Sequence, residues 1–106
     1  MEMKKEIGIA VTTCSSKEVA SGIVNELLSA KLIACGQIEG PMESIYRWKG
    51  RLEKETEWKI KLKFDLAKKA EIEQNLTEIH PYVTPQWVVW KAEASEEYYN
   101  WVVRPN

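Results

Sequence analysis

The chain has 106 residues, of which 44 % are apolar and 29 % charged, the size and make-up of one soluble domain spanning residues 1–106. Fifteen Lys and Arg stand against sixteen Asp and Glu, a formal net charge of −1, so no global field draws the chain toward nucleic acid or anionic lipid. The apolar run in MEMKKEIGIAVTT is too short for a signal-peptide core or a membrane span, and two cysteines are too few for a disulfide framework; the expected compartment is the cytoplasm.

In chain order, EIGIAVTT predicts a strand with Ile7, Ile9 and Val11 on one side. In CSSKE, Ser15 and Glu18 have the spacing of a capping box, so a helix should follow. Its apolar face is Ala20, Ile23, Val24, Leu27 and Leu28, and it should fade near Ala30 or Lys31. Residues 32–64 read as one long hairpin. Gly40-Pro41 predicts a bulge or bend in its first arm, and Lys49-Gly50 predicts the turn. In the second arm Trp58, Ile60, Leu62 and Phe64 alternate with Lys59, Lys61 and Lys63. Asp65 is a cap for a second helix with Ile72, Leu76 and Ile79 as its buried stripe. Pro81 ends that helix, because a residue preceding proline is pushed out of the α region. WVVWKAEA is a last strand. Ser95, Glu96 and Glu97 then open a short helix that makes its apolar contacts through Tyr98, Trp101 and Val102.

The order βαββαβ with a helical tail predicts an α+β, ferredoxin-like sandwich with a long β2–β3 hairpin and a short C-terminal helix. Both main helices should cover one face of an antiparallel sheet and leave the other free. Five Trp and four Tyr in so short a chain lead us to expect another subunit over the free face or the hairpin.

Few residues offer chemistry. With a single histidine, no nucleophile elbow and scattered glycines, neither a hydrolase site nor a phosphate loop stands out, and the expectation is a protein that is not an enzyme. The same element order occurs in an RNA-binding sheet module, but Lys49-Gly50 is followed by Arg51 where that module needs an aromatic, so no nucleic-acid partner is expected. Cys14, Cys35 and His80 are the soft or borderline metal ligands besides Met, and their spacing matches no zinc finger. Each also has a plain structural role: Cys35 as a small apolar strand residue, His80 as a hydrogen-bonding helix end. Cys14, at a strand-to-helix turn, should have its pKa lowered by the helix N-terminus.

VTT at residues 11–13, LIAC at 32–35 with Ile38 following, SIYRWKG at 44–50, HPYVTP at 80–85 and the Tyr98 to Trp101 spacing together resemble the CutA family, the divalent-cation tolerance proteins, from about Ile7 to Val102. The resemblance implies a ferredoxin-like subunit in a tight homotrimer whose hairpins reach across to neighbours, and a role in tolerance of divalent metals, notably copper. It implies Cys35 and His80 as metal ligands, with Cu(II) or Zn(II) bound weakly and not needed for folding; Cys14 has no clear counterpart. Val83 and Gln86 stand where the family commonly has acids, which disfavours a hard-cation site. The alternative is a trimeric small-molecule sensor or scaffold with ligand clefts between subunits, as in nitrogen-regulatory signal transducers.

Overall fold

The computed structural model describes residues 5–105. The first four residues, which open the N-terminal segment considered above, lie outside the described residues. The elements are β1 (Glu6–Cys14), α1 (Lys17–Ser29), β2 (Cys35–Trp48), β3 (Arg51–Phe64), α2 (Lys69–Ile79), β4 (Val88–Glu93) and α3 (Glu96–Val103). They form one antiparallel sheet in the order β2-β3-β1-β4. This is the expected α+β, ferredoxin-like arrangement.

Register explains which residues are buried. Along β1, Gly8, Ala10, Thr12 and Cys14 lie opposite Phe64, Leu62, Ile60 and Trp58. This face meets Ala20, Ile23, Val24 and Leu27 of α1 and Ile72 and Leu76 of α2 in the main core. Ile60, Leu62, Phe64 and Ile72 have no exposed surface; at about 1.5–3 kcal/mol per fully buried large aliphatic or aromatic side chain, this layer dominates the stability. Gly8 is required there, because a Cβ would fall inside the van der Waals envelope of the Phe64 ring.

Ile7, Ile9, Val11 and Thr13 point to the opposite face, and β1 places Ile9, Val11 and Thr13 opposite Lys63, Lys61 and Lys59. That face is not free. Helix α3 lies on part of it: Val102 is buried, and Lys63 Nζ sits 5.6 Å from the centre of the Tyr98 ring.

Four local expectations are corrected. The cap of α1 is Ser16, not Ser15: β1 runs on to Cys14, and Ser16, extended at φ −148° and ψ 157°, accepts from the Val19 N–H at 3.1 Å. Asp65 caps a 3₁₀ turn, Leu66–Lys68, and α2 starts only at Lys69. The hairpin's first strand begins at Cys35, so Leu32 and Ile33 enter the core from a loop. Leu28, expected on the buried face of α1, is 40 % exposed.

The hairpin is the unusual feature. Its turn has Lys49 at φ 50° and Gly50 at φ 76°, the pair of positive values that joins twisted strands in two residues. A register shift between Glu39 and Met42 marks the bulge expected at Gly40-Pro41. Only Trp58–Phe64 of β3 pairs with β1. The outer half, Met42–Trp48 against Arg51–Glu57, is a two-stranded ribbon projecting from the body. It stretches the molecule to 52 Å, with a radius of gyration of 15.0 Å, against about 13 Å for a compact chain of this length.

Candidate functional site

The ribbon and the loop after α2 enclose a cleft of about 920 Å³. Tyr46, Trp48, Glu53, Glu55 and Glu57 line it from the hairpin, and Tyr82 and Gln86 from the loop. Glu53, Glu55 and Glu57 alternate along β3, so their side chains share one face. The cleft is therefore acidic and aromatic at once.

His80 anchors the loop. Pro81 bars the next helical residue, so His80 leaves the α region with ψ 134° while its N–H still reaches Leu76 O at 2.8 Å. The ring is buried, 7 % exposed, and both its nitrogens are engaged. Nε2 lies 2.8 Å from the carbonyl oxygen of Thr13, and the Tyr82 N–H donates to Nδ1 at 3.1 Å. A carbonyl only accepts and an N–H only donates. These two bonds therefore specify the neutral ring with its proton on Nε2. Burial pushes the His80 pKa below its ordinary value, against the smaller upward pull of the Thr13 carbonyl and the Glu57 carboxylate.

The next pair is Tyr82 and Glu57. The Tyr82 O–H donates to Glu57 Oε2 at 2.9 Å, and Glu57 is only 7 % exposed. Burial first, then this bond to a carboxylate, raises the Tyr82 pKa well above the ordinary phenol value. A chain of contacts thus runs from β1 through His80 and Tyr82 to the acidic row of β3.

The sequence-predicted ligands are not neighbours within one chain. Cys35 is half-buried and pairs with Lys63, which lies opposite Ile9. His80 sits against Thr13, four residues further along β1, or about 13 Å at strand spacing. One metal ion needs both ligand atoms within about 2.3 Å. Among the described residues, no group of three or more His, Cys, Asp or Glu is arranged to hold a metal ion. Cys14 overturns the expectation made for it. It is fully buried at the end of β1, its thiol donates to Ser16 O at 3.4 Å, and burial raises its pKa; desolvation outweighs the proximity of the helix N-terminus.

Val83, 99 % exposed, and Gln86 add no carboxylate on the loop side of the cleft. The acids come from the hairpin instead. Sequence reasoning missed Glu57, although a signal existed: the row of alternating residues in β3 changes sign between Glu57 and Lys59.

The comparisons with known proteins agree with this architecture. The family described as CutA1 divalent ion tolerance protein matches residues 8–104. The divalent-cation tolerance protein CutA of Thermotoga maritima is 34 % identical over 95 residues, 89 % of this chain and 93 % of that protein. The CutA homolog of Xenopus laevis is 31 % identical over 91 % of this chain, which spans only 64 % of that longer protein. The crystal structure of the divalent ion tolerance protein CutA1 from Ehrlichia chaffeensis superposes with a TM-score of 0.88 at 33 % identity, covering 95 % of this chain and 94 % of that one. The hairpin-bearing ferredoxin-like fold and a family match over nearly the whole sequence have one reading: this chain belongs to the CutA1 divalent ion tolerance family.

Proposed function

We propose that this protein acts in divalent-cation tolerance as a cytoplasmic homotrimer without catalytic activity, binding Cu(II) or Zn(II) weakly at the cleft beside His80. The observation that carries the reading is the row Glu53, Glu55 and Glu57, which lines a concave surface with no ion-pair partner within 4.0 Å among the described residues. Such a row attracts cations. His80 supplies Nδ1 if the Tyr82 N–H is given up, and Cys35 contributes from a neighbouring subunit. The site is open and completed by carboxylate or water, so the fold does not depend on the metal.

The trimer is supported by what one subunit leaves uncovered. A lone two-stranded ribbon is marginal in water, and this one exposes Ile45, Trp48 and Leu52 at 55, 48 and 64 %. Val88 and Trp90 on the edge strand β4 are exposed as well. Light scattering tests the assembly; a monomer mass at micromolar concentration refutes it. Calorimetry with Cu(II) on wild type, His80→Ala and Glu55→Gln tests the site. Equal affinity in all three proteins, or none in wild type at near-millimolar metal, refutes it.

A specific observation favours a second reading, a small-molecule sensor. Both His80 nitrogens are already bonded to backbone, and the cleft volume of about 920 Å³ lies in the range of organic-ligand pockets. A thermal shift with metabolites and none with metals selects this reading over the first.

A further inference from the structure

A second concavity lies at the base of the hairpin, away from the cleft. The end of α1, the following loop, the 3₁₀ turn and the end of α3 enclose about 510 Å³. Its floor is apolar: Leu32, Ile33 and Val102 are buried at 5, 4 and 2 % exposure. Leu28 and Trp101 line it while remaining 40 and 42 % exposed. The core does not use Leu28, since Ala20, Ile23, Val24 and Leu27 already complete the buried stripe of α1.

Three cations, Lys31, Lys68 and Arg104, also line this concavity. Among the described residues none of them has a carboxylate within 4.0 Å; the one ion pair is Lys59 with Glu39. The one acid in the lining, Asp65, is engaged in capping, with Oδ1 accepting from the Ala67 N–H at 3.0 Å. The loop itself is fixed: the Lys31 and Leu32 N–H groups close onto Leu28 O and Leu27 O, each at 3.0 Å.

We propose that this concavity binds a small organic anion bearing an aromatic ring. The ring lies against Trp101 and Leu28, where burial of a planar apolar group is favourable. The carboxylate, sulfonate or phosphate group meets Lys31, Lys68 and Arg104, whose guanidinium suits a planar or tetrahedral oxyanion. The volume fits one such molecule. The residues are distinct from those of the acidic cleft, and the proposal stands without the metal reading.

The probe is naphthalene-2-sulfonate, with neutral 2-naphthalenemethanol and inorganic phosphate as matched controls. The readout is the indole N–H resonance of Trp101 in the full chain, identified by its loss in Trp101→Phe. The sulfonate should shift this resonance saturably, with both controls at least tenfold weaker. The double variant Lys68→Gln and Arg104→Gln should weaken binding about tenfold, since it removes two of the three cations that meet the anion, and 1 M salt should erase the difference. Arg104 is exposed and Lys68 half-buried, and an unchanged indole spectrum of the free variant confirms that it is folded. An unmoved Trp101 resonance at millimolar sulfonate, equal binding of the neutral compound, or unaltered affinity in the variant overturns the proposal.

Discussion

His80 offers the sharpest test of the site's construction. Replacing it with Phe keeps a ring of similar size and removes both polar contacts. The Thr13 carbonyl and the Tyr82 N–H are then left without the partners they have at 2.8 and 3.1 Å. An orphaned buried group such as the Thr13 carbonyl costs ~1–3 kcal/mol; the Tyr82 N–H is part-buried and costs less, so the variant should lose about 2–4 kcal/mol of stability. The loss should also depend on pH. The folded pKa lies below the unfolded value of 6.5, so between the two the unfolded chain binds more protons and stability rises with pH. The neutral-ring contribution is full above about pH 6.5 and is lost as pH falls toward the folded pKa, with a slope of at most ~1.4 kcal/mol per pH unit. The facing Glu57 moderates the shift without reversing it. Denaturant unfolding of wild type and His80→Phe, at fixed protomer concentration from pH 5 to 8, gives the difference curve. A difference below about 1 kcal/mol, or one that does not shrink as pH falls below 6.5, refutes the assignment of the Nε2–H tautomer.

Further outcomes follow from neighbouring contacts. Tyr82→Phe removes the donor to Glu57 and should cost about 1–3 kcal/mol; phenolate absorbance should show one group fewer in the variant only above the range where ordinary tyrosines titrate, near pH 10. Cys35, half-buried, should react with a disulfide reagent in the native protein, whereas Cys14, fully buried and with its pKa raised, should react only on unfolding; mass mapping of the first label checks the order. Gly8→Ala forces a methyl group into the Phe64 ring and should destabilise by about 1–3 kcal/mol, with part of the loss recovered by a second change, Phe64→Leu. Gly50→Ala should cost about 1 kcal/mol with the core untouched, because only the positive φ of 76° at the turn is at issue.

Much of the fold was legible because its elements carry period and punctuation together. The alternation from Trp58 to Phe64, the Lys49-Gly50 turn and the stop at Pro81 each rest on local sterics, and each appears where expected. The cap falls on Ser16 rather than Ser15 because adjacent serines carry the same capping side chain and the strand's length, a tertiary property, decides between them. The cover that α3 gives the lysine face was not legible, since a short helix with Tyr98, Trp101 and Val102 packs wherever the chain can carry it. Cys14 was misread for a similar reason. Proximity to a helix N-terminus is visible in sequence, whereas the depth of burial that outweighs it is a tertiary property. His80 was legible as a helix terminator, but the bonds that occupy both ring nitrogens come from Thr13, 67 residues away, and from the loop's own fold.

Strand β3 links these parts. On one face it carries Glu53, Glu55 and Glu57, then Lys59, Lys61 and Lys63. Residues two apart are ~7 Å apart along a strand, where like charges repel by about 0.6 kcal/mol in water and less once salt screens them. The lysine half lies within the sheet and finds neighbours: Glu39 for Lys59 at 3.3 Å and the Tyr98 ring for Lys63. The acidic half lies on the projecting ribbon, where Glu57 is held by the Tyr82 O–H and no cation stands within 4.0 Å of any of the three among the described residues. Any cation entering the cleft relieves that repulsion as well as gaining its own attraction, and covering the cleft with apolar surface would lower the local dielectric and enlarge both effects. The ribbon that projects from the body also carries the acids of the cleft, so substitutions that neutralise Glu53 and Glu55 should weaken cation binding while leaving the sheet beneath it intact.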